Sequence, residues 1–420
     1  MIIKKLLNTA FQNVPNTMTL PEYVEAVGGG TKAGQVVTVE SSKNVHTAYR
    51  CINIISDDIA KMPFQTFINR SPGVIERMQP SNRIPVNISW LLEVSPNRNM
   101  TPFIFKKTVV QWSLNWGAGY VWYPVPKPGQ RPEMFVLPSD VTFPVYDMQG
   151  NIWYQTKFSN GETKYIPGVE VFALIINSTD GVTGKSVITY ARESLGRRLG
   201  ASDTQANFYR QGLNPGGIIW MDGAIDKEAR KKVRNSYQEA MGGSENAYSL
   251  AIFDSKVSKF EQVTMKPIDV QFLQGIEVND MEIANFFGMP LYKLNMGKQS
   301  YESNEQQNLD YLNTTLDPFL VQWEQCAALK WLREDEQNYI YFKFNRDVLL
   351  RTDAKTRSDV IAKRIQSGVL TPNEGRQIDD LSAYTGGDRH YFPSNMATIE
   401  DDGKLLAASG FKSNDNTGGE

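Results

Sequence analysis

Residues 119–176 break into YVWYPV, EMFVLP, VTFPVY, IWYQTKF, TKYI and VFALII, aromatic and β-branched runs separated by Pro, Gly and Asn-Gly. Such side chains suit a pleated, half-buried surface, and breaks this frequent leave room for hairpins but not for crossover helices. An antiparallel β region is expected. Asn160-Gly161, lying between two of the runs, is a strong hairpin signal because both residues tolerate the backbone of a tight turn.

The flanking segments carry a helical period. Residues 41–62 place Val45, Ala48, Ile52, Ile55, Ile59 and Met62 on one face, and Pro63 ends the stretch. Thr101 and Pro102 open a helix that runs to about Trp116. Further on come a helix at 185–211, a short strand GIIWMD, and a Lys/Arg-rich helix at 226–242 that ends at Gly242-Gly243. A small β unit follows, AYSLAIFD and KFEQVTM. The helix at 269–287 bears Phe272, Ile276, Ile283 and Phe287. The one at 303–332 bears Leu309, Leu312, Leu316, Leu320, Trp323 and Ala327, with Pro318 expected to kink it or split it into two parts. A strand YIYFKFN precedes helices at 353–367 and 372–380, the latter opened by the capping box Thr371-Pro372-Asn373-Glu374. Residues 1–40 read as an N-terminal arm and 401–420 as a disordered tail. The fold class is mixed α+β.

Composition narrows the function. The 420-residue chain has two histidines, His46 and His390, and two cysteines, Cys51 and Cys326, none at metal-ligand spacing. A thiol or serine nucleophile needs a base that this chain hardly has, so no catalytic, metal or cofactor set is expected. A net charge of -2 argues against tight, phosphate-neutralising DNA binding, although weak sliding contact is compatible with it. No run approaches the roughly 18–20 apolar residues of a membrane span. The opening MIIKKLL has no apolar core long enough for a signal peptide, so a chain made and kept in a cytoplasm is expected.

Three charged motifs need weighing. Gly184-Lys185-Ser186 sits between an apolar strand and a helix, as a phosphate-binding loop does, but position 179 is Thr where the pattern needs Gly. Lys185 is therefore read as a solvated residue at a helix start. Lys227, Arg230, Lys231, Lys232 and Arg234 make a basic helix, read as a solvated or subunit-facing surface, with contact to DNA or a tail protein as the alternative. Asp269, Glu277, Asp280 and Glu282 are read as an acidic solvated face that would repel phosphate if it lined a channel.

The order of segments over about 41–395 resembles the portal (head-tail connector) proteins of long-tailed double-stranded-DNA bacteriophages. VHTAYRCINIISDDIAKMPF is similar to that family's opening helix with its Ile-Ala-x-x-Pro ending. WLLEVSPNRNMTPFIFKKTVVQWSLNWGAGYVW, Leu137-Pro138-Ser139 and GVTGKSVITYARESL match later stretches, with Ser186-Val187 where the family commonly has Ser-Pro. The most specific elements are Ile283-Ala284, Phe287-Gly288-Met289-Pro290, Asn304-Glu305-Gln306 and Thr315-Leu316-x-Pro318, followed by LTPNEGRQIDDL and Gly386-Gly387-Asp388.

The resemblance implies an architecture and a role. Residues 41–225 would form an α/β wing, 226–242 and 269–287 the stem helices, and 243–268 a small β clip. Residues 288–302 would be a tunnel loop, 303–352 the long kinked helix and a wing strand, and 353–400 a helical crown. The subunit is expected to close a homo-oligomeric ring, a dodecamer in the virion, at the portal vertex of the capsid. Double-stranded DNA would pass through it during packaging and ejection. Expected partners are the terminase large subunit, a head-completion adaptor, and the major capsid and scaffolding proteins, with no membrane. In the tunnel loop, Leu291, Tyr292, Leu294 and Met296 would supply bulk while Lys293 and Lys298 could touch phosphate, the alternative being an ordinary apolar helix–helix connector. Of the basic helix, Lys227, Arg230, Lys231 and Arg234 are the candidates for DNA or partner contact. Two rival roles remain at this stage: a nucleotide-binding enzyme using the 179–186 loop, and another capsid-assembly protein that never meets DNA.

Overall fold

The computed structural model describes residues 29–71, 74–81, 87–126, 129–210, 217–221, 226–228, 230–232, 235, 257–262, 269–296, 304–349, 354–379, 381–390, 398–399 and 405–406. Most of the expected N-terminal arm and of the tail, and the AYSLAIFD strand, lie outside them. The chain divides into two compact units, Met1–Leu349 and Leu350–Glu420.

The first helical stretch is interrupted. Helix α1, Val39–Ser42, is opened by a capping box in which Thr38 and Ser41 satisfy each other's backbone N–H groups. Ser41 is thus the third residue of a short upstream helix, and α2, His46–Lys61, begins afresh after Val45. Met62, held extended by the proline after it, ends α2. Helix α3 is Ile88–Glu93. Helix α4, Pro102–Trp116, starts with Thr101 accepting from the Ile104 N–H and ends at Gly117 in the left-handed region, φ +93°.

The β region at 119–176 contains two three-stranded antiparallel sheets. Phe135–Leu137, Ala118–Trp122 and Val171–Ile175 form one, with Val171 opposite Trp122. Thr142–Tyr146, Ile152–Lys157 and Thr163–Pro167 form a meander whose second turn holds Asn160-Gly161. A third sheet is non-local. Phe64–Ser71 pairs on one side with its neighbour Val74–Arg77 and on the other with the distant Ile340–Phe344.

Helix α5, Val187–Arg210, lies against α6, Asp269–Phe286. Between them in sequence, Gly217–Met221 pairs with Val257–Gln262, so the strand read as KFEQVTM takes its partner from upstream of the basic helix. Helix α7, Asn304–Tyr311, runs through a π-helical stretch, Leu312–Leu316, into α8, Asp317–Trp331. The missing N–H of Pro318 falls in the first turn after that widened stretch, so the helix continues through the proline.

Helix α8 packs on both the 171–175 and 340–344 strands, and aromatic side chains fill the space. Phe64 stacks on Phe344 with centroids 4.3 Å apart, Phe172 stacks on Trp331 at 4.9 Å, and Trp323 lies 5.3 Å from Phe172. Trp323 is 1% exposed, as its place on the apolar stripe of 303–332 suggested.

In the second unit, α9, Ala354–Gln366, is followed by α10, Pro372–Ile378, which has the Thr371–Glu374 capping box read from sequence. Asn373 Nδ2 donates to the Tyr384 carbonyl at 3.0 Å and to Asp388 Oδ1 at 2.7 Å, tying the LTPNEG segment to the Gly386-Gly387-Asp388 turn.

Candidate functional site

The 288–302 segment is described as far as Met296, and that part is anchored from two sides. Gly288 turns out of α6 at φ +61°, and Thr315, in the π stretch, donates its hydroxyl to the Gly288 carbonyl at 2.5 Å. Pro290 then sets up a 3-10 turn, Leu291–Leu294, closed by Asn295 at φ +58°. Leu294 is buried, whereas Leu291, Tyr292, Lys293 and Met296 are half-buried. Lys298 lies outside the described residues.

Tyr292 reaches α7, its hydroxyl donating to the Gln307 carbonyl and Asn308 Oδ1, each at 3.1 Å. Burial, with Asp58 and Asp310 nearby, pushes this phenol up to about 12. Lys293 turns toward α2. Its ammonium is 3.6 Å from Asp58 Oδ2 and 4.7 Å from the Tyr311 ring centroid, and its carbonyl accepts from Arg50 Nη2 at 3.1 Å. Asp58, Arg50 and Tyr311 were not singled out from sequence. A signal did exist for Asp58, a carboxylate between Ile55 and Ile59 on the apolar face of α2.

Lys227, Arg230, Lys231 and Lys232 are helical and exposed, while Arg234 is outside the described residues. Asp226 precedes this helix, and its carbonyl accepts from the Arg230 N–H at 3.0 Å.

The acidic face expected on the 269–287 helix is corrected by its neighbour. Asp280 is 4% exposed and paired with Arg198 at 3.2 Å, with His46 at 3.8 Å. Glu282 pairs with Arg197 and accepts from Ser194 Oγ at 3.0 Å, and Asn279 Nδ2 donates to the Ser194 carbonyl. Ser194, Arg197 and Arg198 stand three and four apart on α5, so they present one face to the carboxylates of α6. Glu277 is exposed, which fits the solvated reading, and the side chain of Asp269 lies outside the described residues.

The 178–186 loop is folded around a carboxylate of its own. Asp180 Oδ1 accepts from the N–H groups of Val182 and Thr183 at 2.9 and 2.7 Å, and the Gly181 N–H is donated to Ser178 Oγ at 2.8 Å. With the Lys185 N–H donated to the Ile176 carbonyl, four backbone donors of this loop, those of Gly181, Val182, Thr183 and Lys185, are already engaged. Against a desolvation that alone would raise it, the hydroxyl and N–H of Thr183 and the Val182 N–H hold the Asp180 carboxyl well below the usual range. The loop is fixed from behind, since a Cβ on Gly184 would stand 1.9 Å from the Gly117 carbonyl oxygen. Lys185 is exposed, as read from sequence.

Cys51 is fully buried, which pushes its thiol up to about 12, and Cys326 donates to the Ala173 carbonyl at 3.6 Å. Both are inert packing residues in this setting. Among the described residues, no group of three His, Cys, Asp or Glu side chains could hold a metal ion. Among them, too, no helix is long and apolar enough to cross a membrane.

Comparison with known proteins places this arrangement. The portal protein of Enterobacteria phage HK97 is 26% identical over 359 residues, which are 82% of this chain and 80% of that one. The protein named "Probable portal protein" of Streptomyces phage phiC31 is 24% identical over 394 residues, 89% of this chain and 83% of its own length. Among solved structures, an HK97-family phage portal protein from Corynebacterium diphtheriae superposes with a TM-score of 0.56 at 13% identity, covering 75% of this chain and 98% of that one. A chain from the neck of a native gene transfer agent particle, computed with C12 symmetry, superposes with a TM-score of 0.54 at 17% identity over 91% of this chain and 100% of its own. The signature of the phage portal protein family matches residues 46–380, and the chain belongs to that family.

Proposed function

We propose that this portal subunit closes a twelve-membered ring at one capsid vertex, through which double-stranded DNA is packaged and later ejected. The observation that carries this is the family match over 46–380. It is supported by the fold shared with a chain from a C12 neck. Closure of such a ring needs a heterologous interface, one patch of each copy meeting a different patch of the next.

The ring performs no chemistry in this account. The engaged amides of the 178–186 loop support that, and the energy source is the terminase large subunit docked on the ring during filling. A head-completion adaptor replaces it afterwards, and major capsid and scaffolding proteins surround the vertex. The chain is made in the host bacterial cytoplasm. Residues 226–287 serve as stem and clip, 353–400 as crown, and 288–302 as the segment nearest DNA. In that segment Leu294 is the root, Leu291, Tyr292 and Met296 give bulk, and Lys293 and Lys298 give charge. The exposed Lys227, Arg230, Lys231 and Lys232, with Arg234, meet a partner or DNA.

The test is head assembly with this chain omitted. Heads formed without it are expected to hold no nuclease-protected DNA, and adding the chain during assembly is expected to restore filling. Normal filling without it, or ATP turnover by the purified chain, would overturn the proposal.

A further inference from the structure

The turn Leu291–Leu294 is held to α7 through Tyr292 and to α2 through Lys293. Asp58 is a 4%-exposed carboxylate on α2, and a buried carboxylate requires a counter-charge nearby. Lys61, on the same helix, covers Oδ1 at 2.7 Å and is half in solvent. The charge facing Oδ2 is the Lys293 ammonium at 3.6 Å, and the Tyr311 hydroxyl lies beside the same carboxylate. That ammonium also rests on the buried Tyr311 ring, and Arg50, two turns earlier on α2, holds the carbonyl of the same lysine. The 288–302 segment contains two cations in all, Lys293 and Lys298.

We infer that Asp58 is a positioning residue that withholds Lys293 from DNA, making the 291–294 turn a closed latch. An ammonium committed to a buried carboxylate and an aromatic face must leave both before it can meet a phosphate. While the latch is shut, each subunit presents one fewer cation to the duplex, which lowers the salt-sensitive retention that would hinder sliding. When it opens, Lys293 is added. The DNA half of this rests on the channel role proposed for 288–302, but the latch itself does not.

Hydrogen exchange on the purified protein tests the latch. The N–H groups of Lys293, Asn295 and Met296 are bonded inside the turn, to Pro290, Tyr292 and Leu291. Lys293→Met and Asp58→Asn are each expected to speed their exchange about tenfold. Lys61→Met, which removes a partner of Asp58 that does not cross to the turn, is expected to leave it unchanged. Because Asp58→Asn can loosen α2 itself, Lys293→Met decides, with the amides of 51–60 as an internal reference. Unchanged exchange of the three amides in Lys293→Met overturns the latch and leaves the portal role untouched.

Retention of duplex DNA by assembled rings tests the second half. Asp58→Asn rings are expected to hold DNA to higher salt than wild type, and adding Lys293→Met is expected to remove the gain. Faster exchange with no change in retention overturns the assignment of this turn to the DNA face.

Discussion

Lys106 is 6% exposed, donates to the Met62 carbonyl at the end of α2, and lies 5.9 Å from the Phe344 ring centroid. Burial pushes its ammonium down from 10.5 to about 8, with Glu93 partly opposing. The unfolded chain therefore keeps this proton over a window in which the folded one has released it, and stability rises with pH wherever the unfolded state binds more protons. Lys106→Met is expected to flatten the change in urea midpoint between pH 8 and 10.5, and an unchanged slope would contradict the burial argument. A lysine at the fifth position of a helix reads as solvated in any pattern, so this position was not legible. Nor was Gly184, whose meaning depends on Gly117, far away in sequence. Gly184→Ala is expected to cost about 1–3 kcal/mol by forcing the loop off the strand, measurable as a lowered thermal midpoint. Asp280 shows the same limit in another form. A carboxylate on a helix looks alike whether water or Arg198 faces it, and only the packing of α5 on α6 separates the two cases.

At the scale of elements, what is encoded locally was legible. The hairpin at Asn160-Gly161, the capping box at Thr371 and the stop before Pro63 each follow from residues within one turn of the feature. The break between α1 and α2 was missed because the box at Thr38 and Ser41 competes with the longer apolar period. The pairing of Phe64–Ser71 with Ile340–Phe344 was also out of reach, since two runs of similar character carry no address for each other. Pro318 was expected to kink its helix or split it in two; the helix continues through it, with a π stretch at Leu312–Leu316 just before the proline. That stretch also positions Thr315 to hold Gly288. Thr315→Val removes the hydroxyl and leaves the Gly288 carbonyl without this donor, at an expected loss of about 1 kcal/mol in denaturant unfolding. Faster amide exchange at Met289, whose N–H bonds to the Ala284 carbonyl, is expected with it. Exchange that stays at the wild-type rate would mean the helix and the turn are independent.

At the scale of the whole molecule, physical reading alone led to a mixed α+β chain without a catalytic set, and the ordered motifs over 41–395 carried the rest. The family match agrees in extent, 46–380. Those motifs were informative because they cluster where backbones meet. Gly288 and Thr315, or Asn373 and the 386–388 turn, are joined by direct hydrogen bonds. The central claim is that such subunits close on themselves around a hole, and the native mass of the purified protein, with negatively stained images of the same sample, tests it most directly. The expected result is a homogeneous species of twelve 47.4 kDa chains, roughly 570 kDa, seen as rings with an opening of duplex width. A stable monomer under all conditions that also binds ATP would contradict it.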